Sequence, residues 1–250
     1  MSATGSITVV PSVHFSPTHR RRVRTTIRET EPDLVAVELD ERRYERLERT
    51  DRETPFELAR DLPPATAAAY NVLRAVQRTV VRLYGLDPGK TDMETAIETA
   101  AELGTDVALI DDPIEETVAA LSSRVGPDLL PKLFVRAQRM PPSQQVAQFE
   151  LLTLPFEDIT SGEDVQPAIE QLRWFLPELT DVLIDRRDRA MAARLHALRR
   201  EGHDVVAVVG AGHHLGIERR LEDLESRDDD GETPVPVRSP SRTVTRIPID

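Results

Sequence analysis

Val205-Val206-Ala207-Val208-Val209-Gly210-Ala211-Gly212-His213-His214 is the stretch that decides the fold. An unbroken apolar run of strand length, rich in β-branched residues, reads as a strand buried on both faces, as in parallel sheets. Its Gly-Ala-Gly ending predicts a sharp turn that delivers His213, with His214 as a competing candidate. The stretch Ile7-Thr8-Val9-Val10-Pro11-Ser12-Val13-His14 repeats the pattern near the other end. Ligands of open α/β sheets bind at the carboxyl edge of the strands, so two histidines delivered there point to one site.

Working outward, four runs read as strands: Ser6–Val10, Leu34–Leu39, Asp106–Ile110 and Val205–Val209. Helical patterns follow them, among them Pro17 to Thr30 and Arg42 to Arg49. The alternation predicts an α/β fold, a mainly parallel central sheet flanked by helices. Ala65–Leu83 and Met93–Leu103 read as helices, the second capped by Thr91-Asp92 and stopped by Gly104. Ile114–Ser123, Leu129–Arg139 and Ser143–Leu152 read as short helices. They predict a helical insertion or lid between the third and last core strands. Pro177 opens a long helix, Glu178–Arg200, that leads into the last strand. One domain is expected over 1–225, with 54–175 largely helical. A polar, proline-containing tail covers 226–250, where Thr243–Ile247 could add an edge strand.

Composition narrows the function. The formal net charge of −12 argues against a dedicated nucleic-acid binder. The absence of cysteine excludes disulfides, thiolate metal sites and cysteine nucleophiles. No apolar run reaches the ~18–20 residues of a membrane span, and Met1 to Ser6 lacks the features of a secretory signal. A cytoplasmic protein is expected. All but two of the 32 basic residues are arginine, and an acidic, lysine-poor surface suits a high-salt cytoplasm.

The chemistry-bearing residues follow from the strands. His14 and His213 suit zinc, manganese, cobalt or iron, or act as bases near neutral pH. Glu38, closing the run Leu34–Val37, brings a carboxylate to the same edge as a third ligand or general base. Its structural alternative is a strand end paired with Arg42 or Arg43. Asp40 is placed as a helix cap. Asp111-Asp112-Pro113 brings two acids to the same sheet edge that could join the site, but the favoured reading is that one of them caps the helix Pro113 starts. Arg187 and Asp188 lie about 100° apart on the helix before the last strand; one suits orienting a histidine, the other binding a substrate anion. The Arg20–Arg24 cluster reads as a solvated helix face.

Together, in order, Val9–Ser16, Pro32–Leu47, Pro88–Asp111, Asp185–Met191 and Val205–Ile217 resemble the TraB/PrgY family, related to the Tiki proteases and the erythromycin esterase/ChaN-like superfamily. The resemblance implies an α/β fold with a site of two Gly-x-x-His motifs and a glutamate. By position these are His14, Glu38 and His213, with Arg187 and Asp188 as a charged pair. The Tiki branch implies metal-dependent proteolysis; the pheromone-shutdown branch implies limiting a peptide signal. The chain departs at Pro11, where the first motif has glycine, and at Asp112-Pro113, where an arginine is expected. It also lacks the C-terminal membrane helices that many members carry.

The leading expectation is thus a divalent-metal hydrolase acting on a peptide or small-molecule substrate. Two others stand beside it: a binding or regulatory module without catalysis, and an esterase-like hydrolase needing no metal. A homo-oligomer is compatible with all three.

Overall fold

The computed structural model describes residues 4–13, 16–48, 91–124, 132, 135–136, 159–227 and 233–240. The helices expected at Ala65–Leu83 and Ser143–Leu152, and all but three residues of Leu129–Arg139, lie outside them, as do His14 and the segment Thr243–Ile247.

Strand β1 (Ile7–Ser12) leads to α1 (Pro17–Thr30), β2 (Leu34–Val37) and α2 (Glu41–Glu48). After α3 (Asp92–Leu103) come β3 (Asp106–Leu109) and α4 (Ile114–Arg124). A helical hairpin follows: α5 (Gln166–Phe175), then α6 (Pro177–Thr180), a π-helical turn (Asp181–Asp185) and α7 (Arg186–Arg200). Strand β4 (Val205–Gly210), α8 (Ala211–Arg227) and β5 (Val237–Arg238) complete the described chain. The expected α/β class is what the structure has: a sheet in the order β1-β4-β2-β3-β5, parallel except for β5. The last core strand inserts between the first two, and Ser12 lies opposite Gly210.

Strands are apolar on both faces because helices cover both. Val10, Val35, Val37, Val107, Val206 and Val208 pack on one side with Val23, Ile27, Met93 and Ala100. Ala36, Ala108, Val205, Ala207 and Val209 pack on the other with Met191, Leu195, Leu198 and Ile217. Thr91 and Glu94 form a reciprocal capping box at α3. Gly104 ends that helix at φ 75°, a left-handed conformation that favours glycine.

Pro11 is tolerated inside β1 because β1 is an edge strand of the sheet formed by the described residues. The Val205 N–H donates to the Ser6 carbonyl at 2.8 Å. Ladder alternation then turns the odd-numbered residues of β1, Pro11 included, toward the open edge, where no ladder donor is lost.

Two expectations are corrected. The helix before β4 is not uniform: its second turn is π-helical, with one residue too many for an α-turn. Carbonyls in that turn also accept from arginine side chains, Leu183 from Arg187 at 3.3 Å and Asp185 from Arg220 at 3.1 Å. The Gly-Ala-Gly segment forms no loop, since β4 runs through Gly210 and α8 starts at Ala211. Neither Gly210 nor Gly212 has positive φ. Among the described residues of the tail, Val237–Arg238 pairs antiparallel to β3.

Asp40 caps two helices. Its Oδ1 accepts the Arg43 N–H at 2.8 Å, and its Oδ2 accepts the Ile114 N–H at 3.0 Å. The cap of α4 therefore comes from 74 residues away, not from Asp111 or Asp112. Asp40→Ala removes both caps and is expected to cost about 2 kcal/mol, roughly 1 per cap. Urea denaturation would check it, with Asp40→Asn falling between wild type and Asp40→Ala, because an amide has one acceptor oxygen and keeps only one of the caps.

Candidate functional site

Strands β2, β3 and β4 end together, and their carboxyl ends carry the site. Glu38 directly follows β2, Asp111 lies two residues past β3, and His213 lies in the first turn of α8. Glu38, Asp111 and His213 are all buried. From the helical side, α7 contributes Arg187 and Asp188 in its first turn.

Arg187 is the hub. Its Nε donates to Asp111 Oδ1 at 3.0 Å and its Nη2 to Asp111 Oδ2 at 2.6 Å. Nη2 also pairs closely with Glu38 Oε1, and Nη1 faces His213 Nε2 at 3.1 Å. Glu38 Oε2 accepts the Gly210 N–H at 2.6 Å. Both oxygens of Glu38 are thereby engaged, one by the guanidinium and one by the backbone of β4. Arg43 closes the far side, pairing with Asp111 and, at 2.9 Å, with Asp40 Oδ2.

Asp188 holds the other side of the histidine. Its Oδ1 lies 2.6 Å from His213 Nδ1. An arginine nitrogen carries only N–H, so the Nε2 it faces takes the accepting role. The His213 proton then sits on Nδ1, donated to Asp188. This is the imidazole–carboxylate pairing that fixes a histidine's tautomer and ring angle.

Burial penalises the ionised carboxyl of Asp188 and raises its pKa, against the hydrogen bond from His213. Burial acts the same way on Asp111, but hydrogen bonding to Arg187 and the charges of Arg187 and Arg43 outweigh it, leaving its pKa lowered. Burial works against charge on Arg187, but Glu38 and Asp111 overcome it and hold the guanidinium protonated. Burying so many charges costs desolvation that apolar packing would avoid, which makes the network weak evidence for stability and better evidence for a site.

Four of the residues read from sequence therefore meet: Glu38, Arg187, Asp188 and His213. His14 lies outside the described residues. His214 turns elsewhere, accepting from the Gly162 N–H at 3.1 Å and lying 3.2 Å from Glu218. Glu38 meets Arg187 and the Gly210 N–H, while Arg42 binds Glu115 and Arg43 binds the two aspartates. Asp111 joins the site, the alternative to the cap reading that the sequence favoured for this pair. It follows an apolar strand much as Glu38 does, and that repetition was the available signal. Its neighbour Asp112 pairs with Arg186 at 3.3 Å and Arg194 at 3.5 Å.

The metal expectation can be tested on the donors. His213 Nε2 and Glu38 Oε1 lie 3.4 Å apart, the separation of two ligands about 2.1 Å from one tetrahedral ion. Both atoms, however, face the guanidinium of Arg187. No group of three histidine or acidic side chains able to hold a metal occurs among the described residues. As arranged, the guanidinium of Arg187 serves both atoms, and the third expected donor, His14, lies outside the described residues. Nor is any described helix long and apolar enough to cross a membrane.

Comparison with known proteins agrees with the architecture. The model of the TraB/PrgY/gumN family matches residues 2–230. An uncharacterized protein of Methanocaldococcus jannaschii, MJ1365, is 32% identical over 234 residues. That match covers 89% of this chain and 55% of the relative, so the chain spans about half the length of the curated protein it matches. From its ordered motifs, its sheet and this match over most of its length, the chain belongs to the TraB/PrgY/gumN family.

Proposed function

We propose that the chain is a hydrolase whose reacting centre is the Asp188–His213 pair together with Arg187 and Glu38. The observation that carries this reading is a buried imidazole, oriented through Nδ1 by a carboxylate, with its Nε2 lone pair turned toward a guanidinium. In this reading a peptide or small-molecule ester carbonyl enters beside Arg187. Water adds to the carbonyl carbon while His213 Nε2 takes its proton. Asp188 stabilises the resulting imidazolium. Arg187 swings its Nη1 from the imidazole to the developing oxyanion, which it stabilises by charge and hydrogen bonding. The proton on Nε2 then passes to the leaving nitrogen or oxygen as that bond breaks. Glu38, with both oxygens engaged, holds Arg187 and the end of β4 instead of abstracting a proton.

The 3.4 Å spacing of Nε2 and Oε1 favours a second reading, the divalent-metal peptide hydrolase with zinc, manganese, cobalt or iron. It requires Arg187 to withdraw from both donors.

A panel of peptides and aryl esters separates the readings. In the first, turnover persists after exhaustive chelation, and His213→Ala and Asp188→Asn each lower kcat by 100-fold or more, on the order of a general base's contribution. Turnover lost on chelation and restored by one of the four metals favours the second. Ligand binding without turnover on any substrate supports a non-catalytic binding module. Turnover untouched by His213→Ala would refute both hydrolase readings.

A further inference from the structure

Helix α8 carries more of the site than its histidine. His213, Gly216 and Arg220 are spaced i, i+3 and i+7, so they share one face of the helix. That face is pressed against Asp188, the residue that orients His213.

Gly216 is the contact point. A Cβ at Gly216 would overlap Asp188 Oδ2 and lie 2.6 Å from its Cγ. Real Cβ atoms do not approach that closely, and Asp188 is not free to yield: its carboxylate is buried and bonded to His213. Gly212, one turn earlier on the same helix, is different. A Cβ there meets only Ile169 Cδ1, at an ordinary 3.7 Å.

Arg220 fixes the same contact from the other side. Its Nη1 donates to the Gly216 carbonyl at 3.2 Å and its Nη2 to the Asp185 carbonyl at 3.1 Å. It thus ties α8 at Gly216 to the π-helical turn just ahead of Asp188, with Nη1 3.8 Å from Asp188 Oδ2.

We propose that Gly216 and Arg220 are positioning residues that form a cradle for Asp188 and thereby set the tautomer and angle of His213. The proposal rests on the hydrolase reading for its purpose, but not for its geometry. One helix supplies the imidazole, the gap that admits its carboxylate partner, and the cation beside that partner's second oxygen.

The test reads the imidazole itself, not activity. Histidine ring nitrogens of 15N-labelled full-length protein are followed by NMR, with His213 assigned by its loss in His213→Gln. Wild type is expected to show a protected, downfield proton on Nδ1 and an unprotonated Nε2. Gly216→Ala is expected to lose the Nδ1 proton signal, while Gly212→Ala keeps it. A folded Gly216→Ala protein that keeps the signal overturns the proposal, as does equal loss in Gly212→Ala or absence of the signal from wild type. If Gly216→Ala does not fold, Arg220→Met decides: roughly tenfold faster exchange of the Nδ1 proton is expected on losing this hydrogen-bonded clamp, and unchanged exchange overturns the cradle. Wild type with the signal but without turnover on any substrate would refute the hydrolase and leave the cradle intact.

Discussion

Arg187→Met is expected to cost about 3–5 kcal/mol of folding stability, the loss typical when one member of a buried ion pair is removed. Methionine fills much of the same volume, so the penalty comes from charge and not from a cavity. Glu38 and Asp111 are both buried, and both lean on this guanidinium. Without it, Glu38 loses its guanidinium partner while keeping the Gly210 N–H, and Asp111 keeps Arg43. A double-mutant cycle with Asp111→Asn in chemical denaturation would check the assignment. The double variant should lose clearly less than the two single losses added together, because both changes break one network. Strict additivity would show that the network is not coupled.

Asp111→Asn is the second large effect, expected at about 3 kcal/mol near neutral pH, and it carries a pH signature. The folded-state pKa of Asp111 is depressed, chiefly by hydrogen bonds and charge from Arg187 and Arg43 acting against burial. A depressed carboxyl pKa stabilises the fold above the unfolded value of about 3.9. That contribution fades as pH falls from there through the lower folded value. The stability gap between wild type and Asp111→Asn should therefore be level from about pH 5 to 8 and narrow below about pH 4. Denaturation curves for both proteins over pH 3–7 would measure it. A gap that stays constant to pH 3 would mean that Asp111 contributes through shape and not through charge.

These two effects also show what could be read before the structure. Glu38 and His213 were legible because each is polar and sits where an apolar strand stops. Such a residue has few purely structural explanations. Arg187 and Asp188 were visible as a charged pair on a helix, but nothing local told which partner each would meet. Asp111 looked like a helix cap because Pro113 follows it, and local capping rules favour that reading. The true cap, Asp40, arrives from a different βα connection, a tertiary fact without local trace. The π-helical turn was equally silent, since Asp181–Asp185 has ordinary helical composition. Sheet order escaped the strand pattern too. Apolar runs say that strands are buried, not that the last one enters between the first two.

That insertion has a consequence for how the chain reaches its native state. Ribosomes release residues in order, and among the described residues β1 pairs only with β4. The segment Ile7–Ser12 must wait, its pairing groups unserved, until Val205–Gly210 emerges nearly 200 residues later. Strands β2 and β3 need no such delay and can pair as soon as residue 109 is free of the exit tunnel. Nascent chains halted before β4 should hold a β2–β3 pair with a bare strand edge, the kind of surface that invites aggregation and chaperone capture. Closure around β4 is a late, long-range step and belongs among the slow events of folding. The candidate site, which needs Gly210 and His213 beside Glu38, forms only with that final closure.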